Sequence, residues 1–150
     1  MHADRVPQFK PIEAKLKGVA SEFAQRYARD VGYTLFPFDF EEFKVKRYSP
    51  SGNECFPPHV DITHTGTMHR MVAVLWYLND VETGGETYFG PLDYRVEARC
   101  GRLLMFPPTW MYPHAGMVPR SNAKYIVGTY LKYRAIPGSP LSAGAPAVID

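Results

Sequence analysis

The sequence predicts a mainly β fold: a double-stranded β-helix, or jelly roll, with an N-terminal buttressing helix. Three observations carry this. About eight short extended segments, set apart by turn residues, fall between residues 38 and 133. Eight strands of ~5–6 residues joined by loops of ~4–6 need roughly that much chain. The 150 residues include 14 prolines, 10 tyrosines and 9 phenylalanines, a composition of many turns and packed sheet faces. A helical period precedes the strands.

The length suits one domain with a sizeable core. Hydrophobic content of 45% and charged content of 21% are those of an ordinary globular protein. A net charge of +2 without blocks of like charge argues against a nucleic-acid partner. No apolar run reaches the ~18 residues of a membrane span. The first ten residues lack a secretory apolar stretch. Cys55 and Cys100 make neither a disulfide framework nor a zinc module, so the expected setting is the cytoplasm. We expect one domain over residues 1–135, with its jelly-roll core at about 38–133. The Pro/Gly/Ala-rich residues 136–150 are expected to form a C-terminal tail.

From Pro11, Ile12, Leu16, Val19, Ala20, Phe23 and Tyr27 recur at three- and four-residue steps, which predicts a helix with one apolar face and a stop at Gly32. Phe43–Tyr48 alternates as a strand, and Ser49–Asn53 is turn chemistry. Phe56–Ile62 reads as the next extended segment, followed by a loop from His64 to His69. Arg70–Asn79 is almost wholly apolar and β-branched or aromatic, the pattern of a central strand buried on both faces. After a turn at Gly84-Gly85, short strands are expected at Thr87–Phe89, Tyr94–Glu97 and Arg102–Phe106. An extended piece follows at Met111–Val118, and a long last strand at Lys124–Tyr133.

The chemistry centres on His59-Val60-Asp61. In an extended segment side chains alternate, so His59 and Asp61 share one face, while Phe56, Val60 and Ile62 anchor the other. An imidazole and a carboxylate held together, joined by one distant histidine, make the 2-His-1-carboxylate triad of non-haem iron sites. His114 fits the third position, with small residues after it that let a ligand approach; a hydrogen-bonded structural histidine is the plainer alternative. Lys124 opens the last strand ten residues later. Facing inward, it calls for an anion, because an unpaired buried ammonium is costly. Facing outward, it is a solvated strand edge. Cys55 reads as a buried thiol, and Trp110 and Tyr112 as either a platform at the mouth or rim packing.

Together, H-V-D, the distal histidine, the lysine ten residues on and Leu78-Asn-Asp-Val-Glu-Thr-Gly-Gly-Glu-Thr-Tyr-Phe89 resemble the prolyl 4-hydroxylase type of 2-oxoglutarate- and Fe(II)-dependent dioxygenase. The resemblance spans roughly Phe43 to Tyr133. It implies that His59, Asp61 and His114 bind Fe(II), and that Lys124 grips the far carboxylate of 2-oxoglutarate. It also implies that Tyr48 and Tyr77 help hold this cosubstrate. Strict alternation puts Tyr48 on the face of Lys44 and Lys46, and core packing would also explain Tyr77. Arg120 is a rival cation placed in a turn. The implied reaction consumes O2 and 2-oxoglutarate, with ascorbate as an accessory, releases succinate and CO2, and hydroxylates an unactivated C–H bond. A prolyl residue in a peptide or protein is the expected substrate. A free amino acid or other small molecule is the alternative within the class. Two readings lie outside it: a non-catalytic metal and 2-oxoglutarate sensor, and a zinc hydrolase needing Glu54 or Glu86 as its base.

Overall fold

The computed structural model describes residues 6–134. The expected 136–150 tail lies outside them. After one turn of 3-10 helix at Pro7–Phe9 comes helix α1, Lys10–Asp30, ended by Gly32 in the left-handed region at φ +69°. Nine strands follow among the described residues: β1 (Phe38–Phe40), β2 (Lys44–Tyr48), β3 (Phe56–His59), β4 (Arg70–Tyr77), β5 (Thr87–Phe89), β6 (Tyr94–Val96), β7 (Leu103–Phe106), β8 (His114–Gly116) and β9 (Lys124–Tyr133). No helix among the described residues is long and apolar enough to cross a membrane.

All strand pairs are antiparallel, in two sheets. The larger has the order β1-β9-β4-β7, with β2 alongside β1 against the same edge of β9. The smaller runs β3-β8-β5-β6. Period-2 alternation divides the larger sheet into two cores. Phe43, Val74, Trp76, Val127 and Leu131 face α1; Tyr48, Ala73, Tyr77, Phe106 and Ile126 face the smaller sheet and meet its Phe89 and Val96. The second core is the jelly-roll interior, and the candidate residues line it.

Four expectations are corrected. Only part of the expected helix face is buried: Leu16 packs on the sheet, but Ile12, Phe23 and Tyr27 are exposed. Its closest contact is made by Ala20, Ala24 and Ala28, a seam of small residues at four-residue steps that lets the backbone come close to the sheet. The extended segment expected from Phe56 to Ile62 ends at His59. Pro57 and Pro58 have no N–H to give to a ladder, so β3 is an edge strand with a register shift between Phe56 and His59. That shift puts Phe56 on the His59 side, ring centroids 4.2 Å apart, rather than opposite it. The piece expected at Met111–Val118 shrinks to His114–Gly116, because residues 109–112 turn, with Tyr112 N–H bonded to the Thr109 carbonyl at 3.0 Å. Cys55 is exposed, not buried.

The chain entering β5 and the chain leaving β8, at one end of that pair, meet at Gly84, which bridges to Pro119 and sits at φ +73°. A Cβ there would run into the Val118 carbonyl. Gly84→Ala is therefore expected to destabilise the fold by about 2–3 kcal/mol, from backbone strain and clash together. A urea melt monitored by tryptophan fluorescence reads this directly; an unchanged midpoint would mean the loop yields freely.

Candidate metal centre

His59 on β3 and His114 on β8 are direct partners across the smaller sheet. Their ring centroids lie 4.2 Å apart. Asp61 is not on the strand; it lies two residues beyond its end and turns its carboxylate back to both rings. His59 Nε2 is 3.4 Å from Oδ1, and His114 Nε2 is 3.6 Å from Oδ2. The three residues offer one ligand atom each, all within 4.8 Å of one another.

The outward nitrogens set the tautomers. His59 Nδ1 donates to the Pro57 carbonyl at 2.8 Å, and His114 Nδ1 to the Tyr112 carbonyl at 3.1 Å. With the proton on Nδ1, each Nε2 lone pair points at the space beside Asp61. Burial holds His114 below the usual histidine pKa against the upward pull of Asp61, so it stays the neutral ligand a metal requires. Burial pushes the Asp61 carboxyl up, but the two adjacent imidazoles and the hydrogen bond from Tyr130 outweigh it and hold it below its ordinary value. Two imidazoles and one ionised carboxylate on one side of a cavity match the donor set of non-haem Fe(II).

An outer layer fixes Asp61. Tyr130 on β9 donates to Oδ1 at 2.7 Å. Arg70 Nη1 donates to the Asp61 carbonyl at 2.9 Å, while its Nε and Nη2 grip Glu41 at 3.0 and 2.9 Å. The same guanidinium lies 3.8 Å from the Tyr130 ring centroid. The sequence reading missed Tyr130. Its only signal was parity with Lys124 along the last strand, which the pairing of β9 turns into a shared inner face. Tyr130→Phe removes one hydrogen bond and little volume, so we expect Fe(II) affinity to fall by about 10–100-fold with the fold intact. Anaerobic metal titration checks this; parent-like affinity would leave Tyr130 a packing residue.

Behind the triad the cavity closes on Lys124, which is 2% exposed. Its Nζ lies 5.4 Å from the ring centroids of both Tyr48 and Tyr77. Tyr48 points inward, because β2 pairs with β9 in the register Tyr48 to Lys124. Tyr77 points inward from β4 and bonds the Thr87 hydroxyl at 2.6 Å, linking the two sheets. Burial raises both phenols to about 12, so both remain neutral donors. Burial also pushes Lys124 down to about 8; Glu86 offsets part of this and Lys46 adds to it. A bay with a cation at its end and tyrosines on two sides fits a carboxylate. Lys46, another residue the sequence reading missed, lines the same cavity.

Other candidates stand apart. Arg120 is exposed in the loop after Pro119. Glu54 is exposed and accepts from the Ser49 N–H at 2.6 Å, away from any role as a base at the triad. Trp110 is 78% exposed and Tyr112 half-buried, both in the turn that leads into His114. A separate cavity of about 400 Å³ lies between α1 and the larger sheet. Its lining is apolar and aromatic, with no group suited to holding a metal.

The comparisons with known proteins agree with this geometry. The family model of the 2OG-Fe(II) oxygenase superfamily matches residues 43–132. A "Putative prolyl 4-hydroxylase" of Acanthamoeba polyphaga mimivirus is 30% identical over 117 residues, which are 65% of this chain and 48% of that protein. The chain thus spans about half the length of this curated relative. Among solved structures, the viral collagen prolyl hydroxylase of Paramecium bursaria Chlorella virus-1 superposes with a TM-score of 0.63 at 21% identity, over 77% of this chain and 72% of that one. A prolyl hydroxylase from Trichoplax adhaerens, solved with a hypoxia inducible factor peptide, gives 0.56 at 22% identity, over 65% of this chain and 46% of that one.

Proposed function

Because the chain belongs to the 2OG-Fe(II) oxygenase superfamily, we propose that it is a 2-oxoglutarate- and Fe(II)-dependent dioxygenase that hydroxylates a prolyl residue in a peptide or protein. The observation that carries this reading is the convergence of two Nε2 atoms and one carboxylate beside a bay that ends in a buried lysine. His59, Asp61 and His114 hold the iron. Lys124 binds the far carboxylate of 2-oxoglutarate, flanked by the Tyr48 and Tyr77 rings. Bound iron supplies the coupling of O2 and 2-oxoglutarate consumption to C–H hydroxylation, with succinate and CO2 as coproducts and ascorbate as accessory reductant. The protein's part is orientation and exclusion of water; no side chain has to act as acid or base.

A peptide is favoured as substrate for two reasons. The two solved structures named above are of prolyl hydroxylases, one with a peptide. The exposed Trp110 and Met111 lie just before His114 and offer an apolar rim to an extended chain. Two exposed, unpaired cysteines fit a reducing, cytoplasmic setting.

The test is succinate release by the purified protein with Fe(II), 2-oxoglutarate and proline-containing peptides, with mass spectrometry of the peptides. We expect succinate in step with one oxygen added per proline. Turnover with free amino acids alone would move the substrate to small molecules. Tight 2-oxoglutarate binding without succinate for any substrate would make the protein a sensor.

A further inference from the structure

Neither the triad nor the Lys124 bay accounts for Lys46. It sits in the middle of β2 opposite Ile126, and its side chain leaves the sheet on the inner face, with Tyr48 and Lys124. Its Nζ lies 4.6 Å from the ring centroid of Phe56, which in turn packs on His59. Burial pushes its pKa down, as do Lys44 and Arg70, while Asp61 pulls it up. The two lysines line one cavity, and each further cation makes a charged ammonium there harder to hold. An anion shared by the pair would offset that cost.

Position along the strand says where that anion lies. Lys124, Ile126, Gly128 and Tyr130 follow one another on the inner face of β9. Tyr130 marks the metal end through its bond to Asp61, and Lys124 marks the closed end. Lys46, level with Ile126, is two residues from Lys124 towards the metal, or roughly 6–7 Å along the strand. A five-carbon dicarboxylate gripped by Lys124 brings its other carboxylate to that level.

We propose that Lys46 is a second anion anchor, holding the metal-side carboxylate of 2-oxoglutarate while Lys124 holds the far one. This rests on the function proposed above. The site then reads a dianion at both ends. A rival role, in which Lys46 only neutralises Asp61, predicts altered metal affinity and no discrimination among anions.

The experiment is calorimetric titration of the protein loaded with Mn(II), a slow-reacting stand-in for Fe(II), with three ligands. They are 2-oxoglutarate, 2-oxopentanoate (no far carboxylate) and 4-oxopentanoate (a methyl in place of the metal-side carboxylate). Lys46→Met is expected to weaken 2-oxoglutarate and 2-oxopentanoate at least tenfold and to leave 4-oxopentanoate within twofold. Lys124→Met should weaken 2-oxoglutarate and 4-oxopentanoate and spare 2-oxopentanoate. Lys46→Arg should restore most of the loss, and Lys46→Gln repeats the test if the methionine variant folds poorly. Unchanged 2-oxoglutarate affinity in Lys46→Met, an equal loss for all three ligands, or a change confined to Mn(II) affinity each overturns the assignment. If the parent itself fails to bind 2-oxoglutarate, the proposed function falls first and takes this inference with it.

Discussion

Replacing His114 with alanine is expected to leave a folded protein that no longer holds iron and releases no succinate. His114 is 7% exposed and packs its ring 4.7 Å from Phe106 and 5.8 Å from Phe89. Its removal costs some packing at the inner end of the smaller sheet, on the order of 1–3 kcal/mol, because only part of the space can collapse. The larger loss is chemical. Loss of an outer partner of a metal ligand costs about 10–100-fold in affinity, and loss of a ligand itself must exceed that. The two effects separate cleanly. Thermal melts without metal report the packing term, and anaerobic equilibrium dialysis with Fe(II) reports the ligand term. A variant that melts lower yet binds iron as the parent does would take His114 out of the site.

How far the site could be read from the sequence follows from how local each signal is. The strands betray themselves through alternation and turn residues, so β2, β4, β5 and β9 fall where period and punctuation put them. His59 and Asp61 are neighbours in sequence, and His114 stands out as a distal histidine among small residues. What alternation misplaced was the route. It assumed that Asp61 stays on the strand, whereas two prolines end the ladder at His59 and the carboxylate is held instead by Tyr130 and Arg70. Tyr130 lies 69 residues from Asp61, a contact that no local pattern encodes. The inward direction of Lys46 and Tyr48 likewise depends on the register of β2 against β9, a pairing across the whole domain. The helix was misread for a different reason. Hydrophobic size pointed to Ile12, Phe23 and Tyr27, but close packing on a sheet selects the alanines. The short β1 has too few residues to show a period at all.

The variant Lys124→Met is expected to be more stable than the parent without ligand and unable to bind 2-oxoglutarate. Both effects come from one buried charge. The side chain is almost fully enclosed, and burial first, with Lys46 adding, lowers its pKa from 10.5 to about 8. At neutral pH the folded protein still carries this ammonium, at a cost on the order of 3 kcal/mol relative to the unfolded chain. Because the folded pKa is the lower one, the unfolded chain binds more protons between about 8 and 10.5. The stability of the ligand-free parent therefore rises with pH across that window, and the full penalty applies below it. Methionine fills similar volume without a charge, so its advantage should be greatest near pH 7, shrink above 8 and level off beyond 10.5. Cosubstrate affinity should follow the opposite course. In the parent it weakens as pH rises past about 8 and Lys124 loses its proton, and in the variant it is reduced at least 100-fold below pH 8, the gap closing above it. Denaturant melts and calorimetry across pH 6–11 test both together. A destabilised variant with intact 2-oxoglutarate binding would place the far carboxylate on another residue and make Lys124 part of the core.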